Sequence, residues 1–114
     1  MSKRPSQQAM MRQLQKMQDD MAAAQEALET ETVEVSVGGG ALTVVITGHQ
    51  RVQAININKE LLDLDDEEWL ADLQDLLVAA MNQAVEQSQM MAAERMEAIT
   101  GGLGNMPGLG GLFG

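Results

Sequence analysis

The sequence predicts an α+β fold, α-β-β-β-α, with a three-stranded antiparallel meander between two long terminal helices, assembled as a homodimer. Three observations predict it. Apolar residues recur at alternating spacings of four and three from Met10 to Leu28. The pattern then switches to alternation, punctuated by Gly38-Gly39-Gly40 and Gly48-His49-Gln50. From Asp66 to Thr100 the chain contains neither Gly nor Pro.

The first element rests on Met10, Leu14, Met17, Met21, Ala24 and Leu28, a heptad seam. The residues between them are mostly Gln, Lys, Ala and Glu, which are good helix formers. Ser6 stands where an N-cap side chain is needed. A helix over 6–29 would be roughly 36 Å long at 1.5 Å per residue. A seam this narrow suits a partner helix better than a globular core. Met10, Leu14, Met17, Met21 and Leu28 are therefore read as part of a dimer interface.

At Thr30 the period becomes two. Val33, Val35 and Val37 face one way, and Thr32, Glu34 and Ser36 face the other. The three glycines that follow read as a hairpin turn with positive φ. A phosphate-binding loop would need Lys-Ser/Thr and then a helix, and neither follows. Leu42, Val44 and Ile46 form the inward set of a second strand. Val52 to Asn58 makes a third, with Ile55 and Ile57 on one face. Short connections imply an antiparallel meander with one apolar face under a helix.

Lys59 to Leu64 is a connection. Asp65 or Asp66 can cap the last helix, and Asp65 with Glu68 resembles a capping box. The acids of this first turn suit the helix dipole. From Trp69 to Val85 the apolar stripe is wide enough to cover a sheet; beyond, it thins to Met91, Met96 and Ile99. At roughly 50 Å this helix would overhang the sheet, unless it breaks near Gln83 to Gln89, where Ser and Gln interrupt the stripe. Flexible Met side chains adapt to irregular packing, so Met81, Val85 and Met91 join the expected dimer interface. The domain is read as 1–100, and 101–114, with seven Gly, as a flexible tail.

Composition narrows the function. With one Trp, one Phe and no Tyr, the core must be aliphatic, and a lone subunit would be marginal. The absence of Cys removes disulfides, thiol nucleophiles and thiolate metal sites. His49, the sole histidine, lies in a turn without a second metal ligand or a placed catalytic partner. Asp63, Asp65, Asp66, Glu67 and Glu68 lack the ligand spacing of a calcium loop. The expectation is a protein that is not an enzyme, with no metal, cofactor or small-molecule substrate. No apolar run is long enough to span a bilayer, and no apolar segment follows Lys3 and Arg4 as in a signal peptide. A cytoplasmic protein with no membrane partner is expected.

The net charge of −10 is unevenly spread. Residues 1–18 hold Lys3, Arg4, Arg12 and Lys16 and no acid, whereas residues 60–75 hold eight acids and no base. Arg12 and Lys16 share one helix face. Flanked by Gln8, Gln13 and Gln15, they could track phosphates without reading bases.

The order of these pieces resembles the YbaB/EbfC family of nucleoid-associated DNA-binding proteins. The resemblance is carried by Leu14-Gln15-Lys16-Met17-Gln18-Asp19-Asp20-Met21 with Ala24-Gln25-Glu26, then Val37-Gly38-Gly39-Gly40, Gly48-His49, Ile55-Asn56-Ile57 and Leu61-Leu62-Asp63. Asp72-Leu73, Ala79-Ala80-Met81-Asn82-Gln83-Ala84, Met96 and Thr100-Gly101-Gly102-Leu103 complete it. It implies a homodimer with protruding terminal helices that binds double-stranded DNA, alters its conformation and associates with the nucleoid. DNA contact by the terminal helices points to Arg12, Lys16 and Arg95; charge alone adds Lys3 and Arg4. The chain is more acidic than this role would suggest, so strongly salt-dependent binding is expected. The alternative is an acidic protein-interaction adaptor that meets DNA only indirectly.

Overall fold

A computed structural model describes residues 6–104 of the 114, with side chains to residue 100. It contains α1 (Gln7–Leu28), β1 (Thr32–Val37), β2 (Leu42–Thr47), β3 (Val52–Ile57) and α2 (Trp69–Gly104). Short 3-10 turns occupy Gly38–Gly40 and Lys59–Leu61. The expected α+β order is present. The chain divides into two compact units: Leu28–Ala92, and the N-terminal segment to Ala27 with the segment from Ala93 onward.

The Leu28–Ala92 unit contains the sheet, ordered β1-β2-β3 and antiparallel throughout. Register follows from the side-chain period, because a one-residue slip would turn the inward valines to solvent. Three apolar rows cross the inner face: Val33–Ile46–Val52, Val35–Val44–Ile55 and Val37–Leu42–Ile57. A bulge between Val45 and Ile46 adjusts β3 against β2. Val35, Leu42, Val44 and Ile46 are buried with Ala80 and Ala84 of α2, and Leu76, Leu77, Met81 and Val85 pack around them. The two alanines remove side-chain bulk where the helix meets the sheet.

The Gly38–Gly40 turn has φ of 66°, 67° and 99°, as the triple glycine requires. A Cβ at Gly38 would also stand 3.2 Å from the Leu76 methyls, so close packing against α2 adds a second demand for glycine there.

One open alternative about α2 is resolved and one expectation is corrected. The helix is continuous through Gln83–Gln89. Ser88, which looked like an interruption, is fully buried and bonds to the β2–β3 turn. The Asp65–Glu68 capping box does not form. The Asp65 amide donates to Asp63 Oδ1 (3.2 Å) and the Glu68 amide to Asp66 Oδ1 (3.0 Å), so successive aspartate turns lead into a helix that starts at Trp69.

Candidate nucleic-acid interface

The first candidate surface is the N-terminal half of α1. Ser6 Oγ accepts from the Ala9 amide at 3.1 Å, the N-cap geometry expected from the sequence. The helix so started carries no acid until Asp19. Arg12 and Lys16 are both exposed and one turn apart. Arg12 Nε donates to the Gln8 carbonyl at 3.5 Å, which lays the guanidinium back along the helix. The amides of Gln8, Gln13 and Gln15 are exposed on the same stretch.

The apolar seam of α1 changes character along its length. Met10 is 51 % exposed and Leu14 53 %, Met17 is half-buried, and Ala24 and Leu28 fall to 4 % and 1 %. Met11, not singled out from the sequence, is also exposed. Met21, at 36 %, is exposed as well, and the remaining expected interface residues lie inward. Leu28 is enclosed against Gly48, Met81 and Val85 pack on the core of their own subunit, and Met91 is half-buried. Arg95 is half-buried on α2. Lys3 and Arg4 lie outside the described residues.

A second surface was not legible from the sequence. At the β2–β3 turn, Glu29, Thr47, His49, Arg51, Val52 and Gln53 line an open cavity of about 600 Å³. Ser88 Oγ donates to the Thr47 carbonyl at 2.7 Å and accepts from the Gln50 amide at 3.1 Å. Thr47 Oγ1 accepts from the amides of His49 and Arg51, each at 3.2 Å. These bonds fix the turn although Gln50, with φ of 63°, sits in a region that non-glycine residues seldom adopt. The available signal was a lone Arg directly after a turn, together with a Ser on the apolar stripe of α2.

Among the described residues no group of three or more His, Cys, Asp or Glu could hold a metal ion, and no helix is long and apolar enough to cross a membrane.

A family model, that of the YbaB/EbfC DNA-binding family, matches residues 3–103. The chain belongs to the YbaB/EbfC family. Relatives are named in the same terms. A nucleoid-associated protein of Ruminiclostridium cellulolyticum is 48% identical over 100 residues, covering 88% of this chain and 84% of its own. One of Desulforamulus reducens is 52% identical over 100 residues, covering 88% and 91%. One of Chloroflexus aurantiacus is 46% identical over 98 residues, covering 86% and 95%. The matched span takes in every strand of the sheet and all four bases of the N-terminal stretch.

Proposed function

We propose that this YbaB/EbfC chain is a nucleoid-associated protein that binds double-stranded DNA as a homodimer and alters its conformation. The observation that carries the reading is the pair Arg12 and Lys16, exposed one turn apart on a helical stretch free of acids. The names of the family and of its relatives support DNA as the partner. Lys3, Arg4 and Arg95 extend the basic set in this reading. Contact is electrostatic and positions the protein on phosphates without reading sequence.

Dimerisation doubles a basic patch that is small in one subunit. Two apolar surfaces are available for it: Met10, Leu14 and Met21 on α1, and Val52, Ile55 and Ile57 on β3, all exposed. A partner covering them would remove from water six of the large apolar side chains the subunit leaves bare.

Titration of a labelled duplex across a range of salt concentrations tests the proposal. The expected result is a steep loss of affinity with salt. In Arg12→Ala/Lys16→Ala the log–log slope should fall by roughly one unit for each phosphate contact removed. Absence of binding by the unmodified protein at low salt refutes it, as does a double variant that binds unchanged. Retention of protein partners after nuclease treatment, with no direct DNA binding, would instead favour the adaptor reading.

A further inference from the structure

We infer that the β2–β3 turn is a second phosphate-contact site, with Arg51 as its cation and Ser88 as the residue that positions it. The inference rests on the DNA-binding reading above and locates a contact outside the terminal helix segments.

The argument starts from how charge is distributed within the Leu28–Ala92 unit. Its bases are Arg51 and Lys59, and they lie at opposite ends of β3. The strands run about 20 Å between these ends. At the Lys59 end, Glu60, Asp63, Asp65, Asp66, Glu67 and Glu68 follow in quick succession. A polyanion is repelled there. At the other end stands the β2–β3 turn, with Arg51 exposed and Glu29 the acid that lines the same cavity. The β2–β3 end, where Glu29 and Glu31 are the acids near Arg51, is the less acidic of the two and the one that can meet phosphate.

The turn is also built to hold a side chain in place. The amides of His49, Gln50 and Arg51 are all engaged by Thr47 and Ser88. They are not free to cradle an anion, so recognition falls to the outward side chains of Arg51 and Gln53. Ser88 is fully buried, and its hydroxyl ties the turn to α2. Leu28 and Met91 both crowd the space where a side chain at Gly48 would stand. Arg51 thus projects from backbone held at several points, which reduces the entropy lost when it meets a phosphate.

Duplex titration of the full-length chain tests this with four variants. Arg51→Ala should weaken binding severalfold and lower the salt slope by about one unit for each Arg51 engaged. Glu29→Gln should strengthen binding, because it removes the opposing charge from the same cavity. Lys59→Ala, at the acidic end, should leave affinity unchanged. Ser88→Ala should weaken binding while Arg51→Lys retains most of it, with circular dichroism reporting an intact fold in both. If Arg12→Ala/Lys16→Ala weakens binding but Arg51→Ala does not, this site is refuted and the helix reading survives. If Arg51→Ala and Lys59→Ala weaken binding equally, the effect is net charge and the site is again refuted. If the unmodified protein binds no DNA, both readings fall together.

Discussion

β1 and β3 flank the same central strand and present the same chemistry to the same face, yet they meet different fates. Val33, Val35 and Val37 of β1 stand in register with Ile46, Val44 and Leu42, and Val35 is buried. Val52, Ile55 and Ile57 of β3 face the same three residues from the other side, and remain 39 %, 44 % and 47 % exposed. The cause is width. A helix with its side chains is about 10 Å across, and strands are spaced about 4.8 Å apart. One helix covers two strands well and a third poorly. α2 covers β1 and β2, so the apolar residues of β3 are those a second subunit would be needed to cover.

Substitutions can break or sharpen this contrast. The largest effect is expected at the centre of the covered half. Leu42→Ala should cost about 2–5 kcal/mol in urea unfolding, since Leu42 is fully buried and little can collapse into the space. Its row neighbour Ile57, changed to Asp, should leave the subunit folded by circular dichroism but lower the sedimentation coefficient toward a monomer's, as the proposed homodimer requires of a face paired through β3. An Ile57→Asp protein that unfolds outright would mean β3 belongs to the core, and the contrast between the two edges would fail.

The next effect lies at the end of the sheet where β2 turns into β3. A Cβ at Gly48 would overlap a Leu28 methyl and sit 3.0 Å from the Leu28 Cβ. Gly48→Ala should cost about 1–3 kcal/mol by overpacking. Ser88→Ala should cost about 1 kcal/mol, the net value of a neutral hydrogen bond, because Gln50 keeps its bond to the Thr47 carbonyl. Thermal melts of the two variants should therefore rank Gly48→Ala below Ser88→Ala. The reverse order would show that the hydroxyl holds the turn more firmly than the packing around Leu28.

Most of the fold could be read from residue order because its signals are periodic. Val33 to Val37 alternate without a break, Leu42 to Ile46 alternate but for Val45, and the three glycines between them leave only a turn. The difference between β1 and β3 could not be read that way: Ile55 and Ile57 alternate as well as Val35 and Val37 do, and coverage depends on where α2 crosses. Ser88 left the continuity of α2 open for a related reason. A polar residue within an apolar stripe resembles an interruption until its partner, 41 residues away in sequence, is known. The start of α2 came late because Asp63 and Asp66 satisfy local amides in turns, a competition that acidic sequence alone does not resolve. Within the candidate interface, Arg12 and Lys16 were legible as a pair one turn apart. Arg51 was not, since a single charge after a turn carries no pattern.

The smallest effect concerns the outer part of α1, where the seam is exposed as β3 is. A helix stretch with little packing depends more on its local signals than one pressed onto a core. Ser6 supplies one such signal by capping the Ala9 amide. Ser6→Ala should cost about 1 kcal/mol of local helix stability, or roughly fivefold faster amide exchange over the first turns of α1. Exchange at Val44 and Ile46, buried in the sheet, should not change. If those core amides accelerate as much as the Ala9–Arg12 stretch, the start of α1 unfolds together with the sheet, and its exposed seam is not a locally stabilised surface awaiting a partner. If only the helix start responds, and DNA or high protein concentration suppresses the response, then the exposed apolar stripe and the bases beside it are ordered by the same binding event.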